Sequence, residues 1–396
     1  MSGSRPPLSG IKVIDLSEQV PGPNATRLLI GLGAEVLKIE RPDGGDRLRH
    51  RPAMFEAENR GKRSLAINLK RDEGRATLLR LVAAADVLVE GYRPGVTDRL
   101  GLGFEDLIKV NPRLVYVSIS GYGATGPYRD LPGHDFQYLS YVGAIPAPRP
   151  EHAADYVPTT LPVADLGTSL YTSLAIVLAL HERQGNPEGF AGKHIDVAMA
   201  DCALSMMEPR IAEAVLEQTS ASALNRPGYG IYRTRDDRYV TIGALEDHFW
   251  ERLAKAVDLP ELLTPDYATF ALRRKLVPEI EAVLRPRIQE LDRDSLLALL
   301  VEHDVPVAPL NDLHEPLDDK HFIERGMVIR DGKHPHPRVS EWPTALGPFA
   351  DRSLLTSAPS VGEHSIEILE EFGLDRAEID ELVGAGVITQ PSPGAI

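Results

Sequence analysis

The chain has 396 residues, 43% of them apolar, and its 43 Lys and Arg against 58 Asp and Glu give a formal charge of −15. That length supports a large core and more than one domain, and the acidity argues against nucleic acid or an anionic membrane surface as the main partner. The single cysteine, Cys202, excludes an intramolecular disulfide framework and fits a reducing compartment.

The opening residues MSGSRPPLSG lack the apolar core of a secretion signal. "IKVIDLS" (Ile11–Ser17) reads as a buried strand and "NATRLLIGLGA" (Asn24–Ala34) as a helix that Asn24 can cap. "EVLKIE" (Glu35–Glu40) reads as a second strand. Strand, helix, strand at this spacing is a βαβ unit, whose natural product is a parallel sheet. The pattern continues through "SLAINLK" (Ser64–Lys70), a helix at Asp72–Ala85, "DVLVEGY" (Asp86–Tyr92) and "LVYVSISGYG" (Leu114–Gly123), so the fold class is α/β. In "GHDFQYL", His134 and Asp135 stand at the start of an apolar helix. Residues 146–162 read as a Pro-rich loop and Gly167–Gln184 as a long apolar helix. The most hydrophobic run, Leu170–Leu180, falls short of the roughly 20 residues that a bilayer requires; a cytoplasmic protein without membrane insertion is expected. "KHIDVAMADCALSMM" (Lys193–Met207) reads as a strand entering a helix. Beyond Pro227 the texture changes: a hairpin over Gly228–Leu245 turning at Asp236-Asp237, then helices at Asp247–Val257, Ala271–Leu284 and Arg293–His303. Two short amphipathic helices follow in Gly362–Ile388. The expected division is a large domain over 1–226, a smaller α+β domain over 227–313, and a C-terminal part, 314–396, returning to the large domain.

Between Arg41 and Arg71 nine Lys and Arg meet four Asp and Glu, a local excess of five positive charges. Beside the carboxyl ends of strands this suits a phosphorylated ligand, although a solvated face with ordinary ion pairs gives the same composition. Arg93 and Arg99 follow another strand. Glu40 ends the second strand where an NAD ribose would need an acid, but the first connection, "SEQVPGPNAT", lacks G-x-G-x-x-G. No H-E-x-x-H, C-x-x-C or G-x-S-x-G spacing supports a metal site or a serine elbow. Among the acids, Asp165 stands just before a helix and could simply cap it, and Glu246 stands between a strand and a helix where it could serve the helix dipole.

The ordered motifs "LSGIKVIDLS", "LGAEVLKIERP", "NRGKRSLAINLK", "ADVLVEGYRPGV", "NPRLVYVSISGYG", "GHDFQYL", "HIDVAMAD" and "GEHSIEILEEFG" resemble, from about Leu8 to Ile388, the family III CoA-transferases, the CaiB/BaiF group, which includes the α-methylacyl-CoA racemases. The resemblance implies a Rossmann-like large domain and a small domain in an interlocked homodimer. It also implies acyl-CoA substrates drawn from lipid metabolism, with coenzyme A entering as part of the substrate and no prosthetic group or metal. By motif matching, Arg41, Ile67, Asn68, Leu69, Lys70, Gly91, Tyr92, Arg93, Arg99, Gly133 and Tyr138 would meet CoA and the acyl group.

In the racemase branch the resemblance casts His134 and Asp165 as bases on opposite faces of the α-carbon, with the Asp135 N–H holding the enolate oxygen and Glu246 orienting His134. In the transferase branch Asp165 is a nucleophile that carries CoA as an aspartyl thioester. Retention of His134 and Glu246 favours the racemase; "DLGTSLYTSL" after Asp165, where a Gly-Gly-rich segment is expected, has the texture of a transferase.

Overall fold

The computed structural model describes residues 5–145, 160–216, 226–330, 332 and 336–390; the expected loop over 146–162 falls almost wholly outside them. The chain divides into two compact units, one of Met1–Pro209 with Glu341–Ile396 and the other of Arg210–Ser340.

The first unit begins with strand β1 (Lys12–Asp15) and helix α1 (Pro21–Gly31). The helix starts earlier than Asn24 suggests. Pro21, whose φ is preset and whose missing N–H costs nothing in a first turn, opens it. Asn24 is buried inside the helix, and its Nδ2 donates to Glu58 Oε2 at 2.7 Å. Then come β2 (Glu35–Glu40), α2 (Pro52–Asn59), β3 (Arg63–Ile67), α3 (Asp72–Val82), β4 (Val87–Glu90), the short α4 (Val96–Arg99), α5 (Phe104–Val110) and β5 (Val115–Ser120). Helices α6 (Asp135–Tyr141) and α7 (Val163–Gly185) precede β6 (Lys193–Ala198) and α8 (Met199–Leu216).

The second unit carries the expected hairpin, β7 (Tyr229–Arg233) and β8 (Tyr239–Gly243), with Asp237 at φ 57° in its turn. Helices α9 (Asp247–Ala256), α10 (Phe270–Arg273), α11 (Val277–Ile288) and α12 (Arg293–Glu302) follow. The single helix expected over 271–284 is broken in two, since Pro278 fits the first turn of a new helix but not the interior of a continuous one. Strand β9 (Val307–Pro309) completes an antiparallel sheet, and α13 (Lys320–Glu324), β10 (Val328–Ile329) and β11 (Arg338–Val339) end the unit. Tyr232, Trp250, Leu284 and Leu296 lie in its core. Helices α14 (Ser365–Glu371) and α15 (Arg376–Gly384) and strand β12 (Ile388–Thr389) belong again to the first unit.

The main sheet has the order β12-β3-β2-β1-β4-β5-β6. All pairings are parallel except that of β12, which runs antiparallel to β3. Neighbouring residues of one strand supply opposite faces, as strand geometry requires. Ile14 packs with Leu37, Leu65, Leu78 and Ile368 on one side, while Val13 packs with Leu29, Val36, Ile176 and Trp342 on the other. Both faces are covered, so the strands read as continuous apolar runs. Strand order reverses between β1 and β4, and at such a switch point the connections diverge and leave a crevice beyond the carboxyl ends.

Helix α7, at 23 residues, is long and apolar enough to cross a membrane by length and composition, more so than the run Leu170–Leu180 alone suggested. Its inner face, with Ile176, Ala179 and Leu180, is packed into the core, and Ser173 Oγ donates to Ala25 O of α1 at 3.2 Å. Leu170, Leu174 and Leu178, four residues apart, form an exposed outer stripe.

Candidate active site

A cleft of about 570 Å³ opens at the switch point. The carboxyl ends of β1, β4 and β5 bring to it Ser17, Glu18 and Gln19, then Gly91, Tyr92 and Arg93, then Ser120 and Gly121. Gly133, His134, Gln137 and Tyr138 come from the entry and first turns of α6, and Asp165 from the first turn of α7. Seven of the residues singled out from the sequence, namely Gly91, Tyr92, Arg93, Gly133, His134, Tyr138 and Asp165, thus share one cavity.

Asp165 does not cap its helix; that position falls on Pro162. Asp135 serves the helix end instead. Its Oδ1 accepts from the N–H groups of Ala164 at 2.6 Å and Asp165 at 3.1 Å, satisfying two of the unpaired donors of the first turn of α7. This frees the Asp165 side chain. Among the described residues nothing donates a hydrogen bond to its carboxylate. Burial, then the like charge of Asp135 and of Glu58, push its carboxyl up from 3.8 to about 7. A carboxyl so poised exists in both protonation states near neutrality, which suits it to proton transfer or to nucleophilic attack.

Tyr138 forms a wall between two glycines. A Cβ on Gly133 would meet its ring at 2.6 Å, and one on Gly121 would meet its hydroxyl at 2.8 Å. Burial pushes the Tyr138 phenol up to about 12, so it stays protonated and able to donate. His134 is exposed and precedes α6, with its N–H donating to Gln137 Oε1 at 3.0 Å.

The other candidates of the first unit are not part of this lining. Arg41 Nη2 donates to Gly45 O at 2.7 Å and its Nε lies 3.4 Å from Glu18. Ile67 is 1% exposed and belongs to the core of the sheet. Asn68 Oδ1 accepts from the Lys70 N–H at 3.1 Å, Leu69 packs against the core, and Lys70 and Arg99 are exposed. Glu246 precedes α9 in the second unit, where its carbonyl accepts from the Trp250 N–H at 3.0 Å.

Much of the basic stretch is engaged internally, as the ion-pair reading of its composition allowed. Arg49 makes a bidentate contact with Glu40, Arg60 binds Glu56 and Glu341, and Arg63 binds Glu35 and Glu371. Glu40, weighed as a ribose acid, also accepts from Ser64 Oγ at 2.7 Å and is 5% exposed. Lys62 is wholly buried, with Nζ 2.8 Å from Asp15 Oδ2. Arg93, in the cleft, and Arg99 have no ion pair among the described residues, which leaves them open to an anion.

The buried charges hold the wall contributed by β1. Lys38 Nζ lies 2.8 Å from Asp46 and donates to Ser17 O at 3.0 Å, while Asp46 Oδ1 accepts from the Gln19 N–H at 3.1 Å. Although burial opposes its charge, Lys62 and Lys38 hold Asp15 far below the usual carboxylate range. Glu18, Gln19, Ser120, Gly121 and Arg129 were not singled out as site residues from the sequence. The connection "SEQVPGPNAT" was informative there only for the glycines it lacks. Its signal was position, at the carboxyl end of the central strand. Among the described residues no cluster of three or more His, Cys, Asp or Glu could hold a metal ion.

The chain matches the model of CoA-transferase family III over residues 8–365. It is 35% identical to the succinyl-CoA–L-malate CoA-transferase alpha subunit of Chloroflexus aurantiacus, covering 92% of this chain and 89% of that protein. It is 32% identical to the mouse alpha-methylacyl-CoA racemase, covering 95% and 96%. A solved CAIB/BAIF family protein from Brucella suis superposes with a TM-score of 0.78 at 31% identity, covering 93% of this chain and 100% of that one. The motifs, the sheet order and these matches agree, and the chain belongs to family III of the CoA-transferases.

Proposed function

We propose that this protein transfers CoA from an acyl-CoA to a carboxylic acid through Asp165. The observation that carries this reading is the Asp165 carboxylate, open to the cleft, unbonded among the described residues and made more basic by burial and by Asp135. The likeness to a succinyl-CoA–L-malate CoA-transferase supports it. This reverses the preference that His134 and Glu246 gave in the sequence.

Ionised Asp165 attacks the thioester carbonyl: a carbon–oxygen bond forms, the carbon–sulfur bond breaks, and CoA leaves as the thiolate. The thiolate then attacks the aspartyl carbonyl of the mixed anhydride, expelling the first acid and leaving an aspartyl-CoA thioester. The acceptor carboxylate repeats the sequence in reverse and departs as the new acyl-CoA, returning Asp165 to its free form. Arg93 and Arg99 offer charge to the CoA phosphates. The protein acts in the cytosol as a homodimer in which a second copy covers the stripe of Leu170, Leu174 and Leu178, an apolar surface of the kind that marks an interface.

A second reading, racemisation, rests on His134 lying in the same cleft as Asp165. Exchange at the α-carbon needs two proton-transfer groups, and this pair could provide them. The deciding experiment offers acyl-CoA esters, succinyl-CoA among them, with a panel of carboxylic acids. In parallel, a 2-methylacyl-CoA is incubated alone in deuterated water. New acyl-CoA species, with transfer retained in His134→Ala, support CoA transfer. Deuterium entering the α-position without CoA moving to any acid overturns it in favour of the racemase.

A further inference from the structure

Four residues other than glycine have positive φ among the described residues: Gln19, Asp237, Asp258 and Asp304. The three aspartates stand in the β7–β8 turn and just past the ends of α9 and α12, where short polar side chains tolerate the left-handed region. Gln19, at φ 68°, is the one long side chain so held, and it faces the cleft. A glycine would adopt that conformation freely. The protein instead keeps a glutamine there with buried charges, through Asp46 on the Gln19 N–H and Lys38 on Ser17 O. Strain of this kind persists where surrounding structure over-determines it, and it concentrates at functional sites.

The placement gives the strain a purpose. Helix α1 begins two residues after Gln19, and Ser169 Oγ of α7 donates to Pro21 O at 2.8 Å. Gln19 and Asp165 therefore stand at the starts of two helices bonded to each other, and both line the same cavity. The Gln19 side chain is exposed and its carboxamide makes no hydrogen bond among the described residues.

We propose that Gln19 is a substrate-contacting residue, whose carboxamide N–H donates to an oxygen of the acyl group bound beside Asp165. The inference rests on the reading that the cleft holds an acyl-CoA thioester.

Gln19→Gly separates the chemical role from the conformational one. Glycine removes the strain, so the variant should melt no lower than the wild type. Loss of the donor should still lower kcat/KM about tenfold or more. Gln19→Asn, which tolerates the left-handed region and keeps a shorter amide, should retain more activity than the glycine variant. Wild-type kcat/KM in Gln19→Gly overturns the inference, and so does a loss of activity matched by a fall in melting temperature. If the wild type catalyses neither CoA transfer nor α-exchange, the reading of the cleft fails and takes this inference with it. An active wild type with an indifferent glycine variant removes the inference alone.

Discussion

Replacing Asp165 by Asn should abolish activity and, at the same time, stabilise the protein in a pH-dependent way. The carboxyl is raised from 3.8 to about 7 by burial and then by the neighbouring carboxylates. Because its folded pKa lies above its unfolded one, the folded state binds this proton more tightly. The contribution of this group to stability is therefore fully present below about pH 4 and is lost progressively as pH rises to about 7. At about 1.4 kcal/mol per pH unit, the ionised group costs the fold about 4 kcal/mol once the loss is complete. Asparagine keeps the shape and escapes that cost. The gain at about pH 8 is about 4 kcal/mol. About 2 kcal/mol of it should appear between about pH 5.5 and about pH 8, where the linkage is steep. Urea unfolding of both proteins at the two pH values, beside a CoA-transfer assay, measures each part. Retained activity would refute the chemical role of the carboxylate. An equal stability change at both pH values would refute the claim that burial and like charge govern its titration.

Asp135→Asn keeps an oxygen to accept from Ala164 and Asp165 but removes the like charge beside Asp165. The acid limb of the pH profile of kcat/KM should move to lower pH, and an unmoved limb would refute the coupling. Lys62→Met leaves the Asp15 carboxylate buried without its closest cation and should destabilise the first unit by about 3–5 kcal/mol, read from urea unfolding. Gly121→Ala places a Cβ 2.8 Å from the Tyr138 hydroxyl, so the ring must shift. We expect a loss of about 1–3 kcal/mol with reduced activity, whereas Gly185→Ala, in α7 with nothing within 4 Å of the added carbon, should leave activity unchanged and should not lower stability.

The α/β class was legible because βαβ units announce themselves locally. The strands at Glu35–Glu40 and near Val13, Val89 and Val117 are short apolar runs bounded by turn residues, and the structure ends them within a few residues of expectation. Boundaries failed where proline competes with a cap: Pro21 displaced Asn24 as the start of α1, and Pro278 split a single expected helix into two. The basic stretch was ambiguous for a different reason. Composition counts charges but does not pair them, and the acids that engage Arg60 and Arg63 include Glu341 and Glu371, 281 and 308 residues away.

Sequence by itself determined the family, the alternation of strands and helices, and the residue types that bear the chemistry, since these rest on local pattern and ordered motifs. Tertiary structure decided which of the candidates meet. The reversal of strand order between β1 and β4 opens a cleft that gathers Asp165, His134, Tyr138 and Arg93 while Ile67 goes to the core. It also decided that Asp135 holds the end of α7, leaving the Asp165 carboxylate unbonded and hard to ionise. Both outcomes follow from burial and distance between segments far apart in the chain, and neither quantity is carried by any one stretch of residues.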